Sequence, residues 1–296
     1  MLQGILPDEP EQLLLHIEHT EPVLSSDHDA IAIPAPISQL IEEFSDLFQP
    51  PTSLPLSRAC KHEIPLLSGA QPVFIWPYRY PPKLKDEIEA QVQEMLSQGL
   101  IQPSSSSFSS SVLLIKKKDG SYRFCVDFRH LNALTKKSKF PVPVFDQLMD
   151  ELAHAKWFST LDLRAGFHQI LLHPGEEFKT AFQTHLGQYE FRVMAFGLTG
   201  TPGTFQGAMN GTLALLVFFD DILVYSPTFE AHVDHLRQVF QWLRADQWKL
   251  KLSKCTFARE SISYLGHIIS SEGLSTNPAK VQAVLKWLVP SSVREL

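Results

Sequence analysis

Two adjacent carboxylates, Asp220 and Asp221, stand between two apolar runs of strand length, at residues 215–219 and 222–225. Two ionised aspartates inside one continuous buried strand would be very costly, so the pattern predicts a hairpin whose tight turn carries both out of the core. A plain polar hairpin tip is the alternative, but such tips usually use Asn-Gly or Asp-Gly, and no glycine occurs here. Adjacent like charges repel unless a cation lies against them, so the pair indicates a metal site.

A third carboxylate, Asp162, follows another apolar strand at residues 158–161. Three aspartates from two strands can hold two divalent ions about 4 Å apart, which aligns the attacking and leaving oxygens in phosphoryl transfer. A two-carboxylate hydrolase using Asp162 and Asp220, such as a glycosidase, is a rival interpretation that needs one raised pKa and no metal. Activity that is insensitive to EDTA would favour the hydrolase.

Three blocks of sequence agree in order and spacing with one known family. They are LDLRAGFHQ at 161–169, FGLTGTP at 196–202 with TFQ at 204–206, and FFDDIL at 218–223. Together they resemble the reverse transcriptase of gypsy-type LTR retrotransposons, over roughly residues 60 to 296. Several blocks that match in order are far more specific than a lone motif.

The resemblance implies an α+β right-hand polymerase fold, in which an antiparallel palm sheet packs on helices. It predicts a linker or extension at residues 1–60, fingers and palm at 61–275, and the start of a truncated thumb at 276–296. The implied reaction is RNA-directed DNA synthesis on a primer 3′-hydroxyl, with two Mg²⁺, or Mn²⁺ in their place, held by the three aspartates. The implied partners are an RNA or DNA template with its primer, and dNTPs.

The resemblance also assigns nucleotide-binding residues. Lys117 and Arg123 match the fingers residues that close on the incoming triphosphate, and Phe167 matches the aromatic that excludes a 2′-hydroxyl. Phe196 and Gly197 match the floor of the nucleotide pocket. From its residue type alone, Phe167 could equally be a core aromatic.

The run that matches the family's primer grip comprises Tyr264, Leu265, Gly266 and His267. The thumb barely begins after this run, so we expect a fragment from which the RNase H and integrase parts of the polyprotein are absent. The Asp-Thr/Ser-Gly signature of an aspartic protease does not occur in the sequence either.

The net charge of −6 hides an uneven distribution. Residues 1–57 contain ten acidic residues and no Lys or Arg, which leaves +4 for the rest. Between residues 116 and 139 there are eight Lys or Arg against two Asp, around an Asp119-Gly120 hairpin signal. A solvated face is the ordinary explanation of such a run, but alternation with apolar residues near a candidate metal site favours triphosphate and template contacts.

Apolar residues at helical spacing predict several helices. They cover residues 37–48, 83–98, 201–210 and 228–248, and strands are predicted at 112–115 and 122–128. The first helix lies within the acidic, proline-containing extension, which we interpret as a linker or docking segment. His232 and His235 lie one turn apart on the last helix, but no cysteine or further histidine is placed to complete a zinc site.

Neither a membrane span nor a secretion signal is visible in the sequence. Cys60, Cys125 and Cys255 lie far apart, which suggests reduced intracellular thiols rather than disulfides or zinc ligands. The resemblance implies the cytoplasm or a virus-like particle.

Three departures from the family pattern bear on activity. Ala195 stands where a proline is usual, Gly203 stands where an alanine is usual, and the segment from Phe205 to Asp220 is roughly one and a half to two helical turns shorter than in relatives. A helix that ends near Asn210 would keep the Asp-Asp hairpin in register. These changes predict weak or absent polymerisation and leave open a folded, inactive remnant that only binds nucleic acid or protein.

Overall fold

The computed structural model describes residues 33–117, 120–137, 152, 154–210, 216–218, 221–264, 266–276 and 278–285. In these ranges the helices are α1 Ala35–Glu43, α2 Pro82–Ser97, α3 Arg129–Leu134, α4 Thr201–Asn210, α5 Phe229–Ala245 and α6 Pro278–Leu285. The strands are β1 Ile101–Pro103, β2 Ser110–Lys116, β3 Tyr122–Val126, β4 Trp157–Asp162, β5 Phe182–Gln183, β6 Gln188–Phe191, β7 Leu216–Phe218, β8 Asp221–Ser226, β9 Thr256–Arg259, β10 Ser261–Tyr264, β11 His267–Ser270 and β12 Gly273–Thr276. None of these helices is long and apolar enough to cross a membrane.

A four-stranded antiparallel sheet with the order β7-β8-β4-β9, here called the palm sheet, packs one face on helices. Leu161 of β4 and Ile222 of β8 share a buried core with Phe205 of α4 and Phe240 of α5. Each fully buried side chain of this size stabilises the fold by about 1.5–3 kcal/mol. This arrangement confirms the predicted antiparallel palm sheet packed on helices.

Helix α5 forms where the spacing of apolar residues predicted it. Leu236, Phe240 and Leu243 recur at helical spacing and are fully buried. The Thr228 hydroxyl caps the helix by accepting a hydrogen bond from the Ala231 N–H at 3.2 Å. The helix therefore begins at Phe229, one residue after the start of the predicted range 228–248.

Residues 35–58, here called the N-terminal strap, contribute to the same core. The Phe44 and Phe48 rings lie 5.5 and 5.7 Å from the Phe240 ring, between centroids. Ile37 and Leu40 of α1 are fully buried. These side chains make residues 35–48 part of the palm core rather than a loose linker, while the domain boundary at residue 60 stays a prediction.

The second sheet, here called the fingers sheet, has five strands in the order β1-β6-β5-β2-β3. Strands β2 and β5 run parallel, and the other neighbours run antiparallel. Its core includes Ile88 and Val92 of α2, packed with Val112 and Phe182. A third, antiparallel sheet has the order β10-β11-β12.

Candidate active site

Asp162 ends β4 and Asp221 begins β8, and the antiparallel register makes the two residues direct partners. Residues directly opposite each other in such a ladder share a face of the sheet, with Cβ atoms about 4.5–5.5 Å apart. β7 and β8 form the predicted hairpin, in which Asp221 also pairs with Phe218. Asp220, the other predicted ligand, lies outside the described residues.

The Asp162 carboxylate is partly buried and faces a lysine. Its side chain is 21% exposed, and Lys254 Nζ lies 3.4 Å from its Oδ2. That distance exceeds the roughly 2.7–2.9 Å of a strong charge-assisted hydrogen bond, and the Lys254 side chain is 53% exposed. Lys254 is therefore a loosely held counter-charge that a cation could displace.

The Cys255 thiol is a neighbour of Asp162. Burial, together with the smaller effect of the Asp162 charge, raises the pKa of the neighbouring Cys255 thiol to about 12, so the thiol is protonated at neutral pH. Carboxylate oxygens beside a neutral thiol suit hard cations such as Mg²⁺ or Mn²⁺ better than zinc. Within the described ranges no three His, Cys, Asp or Glu residues converge on one point, so the metal hypothesis depends on Asp162 together with Asp221 and with Asp220, which lies outside those ranges.

The structure brings the predicted pocket aromatics together. Phe167 lies in a 3₁₀ turn, Gly166–Gln169, and its ring centroid is 4.8 Å from that of Phe196 and 5.5 Å from that of Phe205. Phe196 is 42% exposed, so the pair presents an aromatic surface to solvent. A Cβ at Gly166 would approach the Phe205 ring to 3.1 Å, which explains the glycine that precedes Phe167.

An asparagine that the sequence analysis missed clamps the loop after Phe196. Asn132 Nδ2 donates to the Gly197 carbonyl at 2.7 Å, and Asn132 Oδ1 accepts from the Thr199 N–H at 2.8 Å. Gly197 has φ +89°, a left-handed conformation that favours glycine. No signal in the sequence identifies Asn132, because its partners lie more than 60 residues away.

Lys117 and Arg123 lie on the fingers hairpin formed by β2 and β3. Arg123 pairs with Ile115, and the Lys117 N–H continues the ladder by donating to the Ser121 carbonyl at 2.7 Å. Because side chains alternate along a strand, Lys117 and Arg123 share one face of the hairpin and Lys116 lies on the other. Both predicted phosphate contacts are exposed, on a different sheet from Asp162.

The predicted primer grip is the two-residue hairpin between β10 and β11. Tyr264 pairs with His267, Gly266 has φ +81°, and Leu265 lies outside the part of the chain that the structure describes. Tyr264 is 4% exposed and packs in a cluster that includes Phe158 of β4. Phe158 and Asp162 are four residues apart on one strand, so this hairpin covers the face of the palm sheet that carries Asp162.

His232 serves the structure of the palm. Its Nε2 lies 2.7 Å from Ser159 Oγ and its Nδ1 lies 3.0 Å from Ser226 Oγ, which ties α5 to both β4 and β8. Burial, with a smaller effect of His235, lowers the pKa of His232 to about 4. The histidine is therefore neutral at physiological pH, and both of its ring nitrogens are hydrogen-bonded to serine hydroxyl groups.

Comparison with known proteins agrees with this geometry. The model of the reverse transcriptase (RNA-dependent DNA polymerase) family matches residues 115–269. The Pol polyprotein from transposon opus of Drosophila melanogaster is 35% identical over 272 residues, which is 88% of this chain and 27% of that protein. The Pol polyprotein from transposon gypsy of the same organism is 32% identical over 235 residues, 75% of this chain and 23% of that protein. This chain thus spans about a quarter of the length of these relatives.

Solved structures agree on the fold. The foamy viral protease-reverse transcriptase in complex with an RNA/DNA hybrid has a TM-score of 0.76 at 20% identity, covering 88% of this chain and 36% of that one. The same protein in complex with dsDNA has a TM-score of 0.77 at 21% identity, covering 88% of this chain and 55% of that one. The fold is thus the α+β fold of these polymerases, and the chain belongs to the reverse transcriptase family, among those of LTR retrotransposons.

Proposed function

We propose that this chain is an RNA-directed DNA polymerase that adds deoxynucleotides to a primer 3′-hydroxyl. The observation that carries the proposal is the direct pairing of Asp162 with Asp221, on the face of the palm sheet that the β10–β11 hairpin covers. Two neighbouring carboxylate positions support a site for two metal ions, which is suited to nucleotidyl transfer.

Asp162, Asp220 and Asp221 would hold two Mg²⁺, with Mn²⁺ as a substitute. When bound, the ions supply charge neutralisation of the triphosphate and a lower barrier for attack by the 3′-oxygen. The chain contributes a fixed backbone register for Asp162 and Asp221, and a lysine, Lys254, that balances the Asp162 charge until a cation takes its place.

The nucleotide would lie on the aromatic surface of Phe167 and Phe196, with its sugar against the Phe167 ring. Asn132 holds the Gly197 carbonyl and so fixes the pocket floor beside that surface. Lys117 and Arg123, on one face of the fingers hairpin, would contact the triphosphate from the other side. Each of these groups positions or neutralises, which is the main task of protein side chains in phosphoryl transfer.

The primer end would contact Gly266 and His267 at the tip of the β10–β11 hairpin. Tyr264 is buried beneath them and would support the hairpin rather than touch the primer. The template would be RNA or DNA, since the foamy viral protein has been solved with both an RNA/DNA hybrid and dsDNA.

The cellular setting that we propose is the cytoplasm or a virus-like particle. The structure contains three free cysteines, Cys60, Cys125 and Cys255, as expected for thiols in a reducing compartment. We also propose that residues 61–275 comprise fingers and palm, and that residues 276–296, which include α6, begin the thumb.

Primer extension on poly(rA)/oligo(dT) with dTTP tests the proposal directly. We expect incorporation that needs Mg²⁺ or Mn²⁺ and stops when EDTA is added. Binding of the primer-template without any extension, at any concentration of either metal, would overturn it.

A folded, inactive remnant that binds nucleic acid is the second candidate. It is favoured by the departures at Ala195 and Gly203 and by the shortened link before Asp220. Helix α4 ends at Asn210 and β7 begins at Leu216, so residues 211–215, which the structure does not describe, make the whole connection.

An insertion of family length after Leu213 separates the two candidates. If the short link weakens the palm, the insertion should raise the extension rate and the melting temperature together. A rise in neither would show that the deletion is harmless.

A further inference from the structure

The backbone around Asp162 is held by a second stretch of the chain, residues 246–251, here called the anchor segment. The Lys251 N–H donates to the Asp162 carbonyl at 2.9 Å. The Arg164 N–H donates to the Lys249 carbonyl at 2.9 Å. These bonds extend β4 beyond its last residue, so the position of the Asp162 backbone depends on where the anchor segment lies.

The N-terminal strap holds the other side of the anchor segment. The Leu250 N–H donates to the Leu47 carbonyl at 2.8 Å, while Leu250 also forms an antiparallel bridge with Leu163. One guanidinium nitrogen of Arg164 lies 3.4 Å from the Phe48 carbonyl. The strap thus contacts both the anchor segment and a residue just beyond the catalytic aspartate of β4.

Arg58 provides the second attachment of the strap. Its guanidinium carbon lies 3.8 Å from the centroid of the Trp248 ring. One of its nitrogens donates to the Asp246 carbonyl at 2.7 Å, and another donates to the Gln169 carbonyl. The planar fork of an arginine can stack on an aromatic ring while it donates in two directions, which lysine cannot reproduce.

Gln169 connects Arg58 to the backbone beyond Asp162 and to the turn that contains Phe167. Its side chain is buried, and its amide nitrogen donates to the Arg164 carbonyl at 2.8 Å and to the Lys249 carbonyl at 2.9 Å. Its amide oxygen accepts from the Lys249 N–H at 2.8 Å. Gln169 also belongs to the 3₁₀ turn that contains Phe167, so Arg58 is one contact away from both the nucleotide pocket and the backbone of β4.

The charge of Arg58 persists in this partly buried place. Burial lowers its pKa to about 10, and the Asp246 charge offsets part of that effect. Arg58 is therefore cationic at neutral pH and donates charge-assisted hydrogen bonds to both carbonyls.

We propose that Arg58 is a positioning residue for the polymerase reaction, and that the N-terminal strap is part of the catalytic unit although the family match begins at residue 115. This inference rests on the function proposed above. The strap fixes the anchor segment, the anchor segment fixes the backbone of Asp162, and Gln169 extends the same constraint to Phe167.

The test compares Arg58→Ala with the parental chain by hydrogen exchange and primer extension. We expect peptides covering residues 161–170 and 246–251 to exchange about tenfold faster or more, while peptides covering β2 and β3 keep the parental rate. We expect kcat to fall about 10–100-fold, with the dNTP KM and the primer-template Kd changed less than about threefold, because small misplacements of reacting groups are costly.

Two further variants calibrate the effect. Arg58→Lys keeps a cation near Trp248 but loses the fork, so its exchange and kcat should lie between those of the parent and Arg58→Ala. Arg237→Ala removes an exposed ion pair between α5 and Glu43 of the same strap, without touching the anchor segment. It should leave exchange and kcat at parental values.

Hydrogen exchange reports on the strap even if the parental chain does not extend primers. Absence of primer extension in the parent would overturn the proposed function but not the positioning role of Arg58. Parental exchange at 161–170 in Arg58→Ala would overturn the positioning role. Uniform acceleration over the whole chain would also overturn it, because it would indicate general destabilisation. If Arg58→Ala does not fold, the test uses Arg58→Lys instead. A hydrogen-exchange rate and a kcat equal to those of the parent in that variant would contradict the proposal.

Discussion

The β7–β8 and β2–β3 hairpins both present charged residues near their tips, yet they are held in different ways. In the palm, Ile222, Leu223 and Val224 of β8 are fully buried between packed layers. In the fingers, Ile115 is 42% exposed, and the neighbouring Lys117 and Arg123 are exposed as well. Strand β8 is fixed by buried side chains on both faces, whereas the tip of the β2–β3 hairpin extends into solvent on its backbone ladder.

This difference matches the two tasks that we propose. Carboxylates that hold cations must keep a fixed geometry, because small displacements are costly in transfer reactions. Groups that close on a triphosphate must move between an open and a closed state, and exposed hairpins with few buried contacts are suited to that. The palm hairpin should therefore respond to loss of charge or packing with loss of chemistry, and the fingers hairpin with loss of nucleotide affinity.

Removing a palm carboxylate should have the largest effect. We expect Asp162→Asn, and equally Asp220→Asn or Asp221→Asn, to slow primer extension by more than about 10³-fold, because a bound metal ion stabilises the transition state by several kcal/mol. Primer-template affinity should stay within a few-fold, since it depends on basic contacts to phosphates. Asp234→Asn, at an exposed position on α5, is the matched control. Extension by any of the three variants at the parental rate would refute the metal assignment.

Acid should weaken the palm through His232. Its pKa is about 4 in the folded chain and about 6.5 when unfolded, so the stability that the neutral ring contributes is fully present above pH 6.5 and is lost as the pH falls towards 4. Between pH 7 and pH 4, the free energy of unfolding should fall by roughly 2–3 kcal/mol less in His232→Gln than in the parent. Denaturant unfolding at the two pH values measures this difference.

The exposed His130, changed to Gln, serves as the control for the acid effect and should retain the parental pH dependence. The same acid slope in His232→Gln as in the parent would show that His232 does not couple α5 to the palm strands.

The fingers hairpin should change affinity rather than chemistry. We expect the pair Lys117→Ala and Arg123→Ala to raise the dNTP KM about 10–100-fold, because hydrogen bonds to charged groups contribute about 1.5–3 kcal/mol. Lys116→Ala removes the same charge from the opposite face of the hairpin and should leave the KM near the parental value. Steady-state kinetics with varied dTTP distinguish the two faces, and equal effects would contradict the assignment.

Phe167 should give the smallest effect. Replacing it with Val opens space beside Phe196, and we expect the ratio of ribonucleotide to deoxynucleotide insertion to rise about tenfold. Phe229→Val is the matched control. It removes another partly buried aromatic ring, one that packs on Trp157 at the other end of β4. Single-nucleotide insertion should show the altered ratio only in Phe167→Val; an unchanged ratio would make Phe167 merely a core aromatic.

Local patterns in the sequence predicted local structure well. The spacing of Leu236, Phe240 and Leu243 gave α5, and the Asp119-Gly120 signal gave the fingers hairpin, although Asp119 itself lies in a stretch that the structure does not describe. These elements form because near neighbours in sequence share a face or a turn. The resemblance supplied the aspartates and pocket aromatics that local rules could only suggest.

Long-range contacts could not be predicted in this way. The prolines and acidic residues around α1 suggested a linker or docking segment, but not its partner: Phe44 and Phe48 pack on Phe240, almost 200 residues later. No local sequence pattern identifies Arg58, because its partners, such as Trp248, are distant in sequence and come close only in the folded chain. The pairing of Asp221 with Asp162 likewise follows from sheet register, which strand patterns alone do not specify.

The number of Mn²⁺ ions bound per chain shows whether Asp162 helps to hold a two-metal site. It would be measured by electron paramagnetic resonance in a complex with dTTP and poly(rA)/oligo(dT) whose primer lacks a 3′-hydroxyl. We predict two ions per chain in the parent, as in a two-metal site, and fewer in Asp162→Asn. The same number of bound ions in both proteins would show that Asp162 is not a metal ligand.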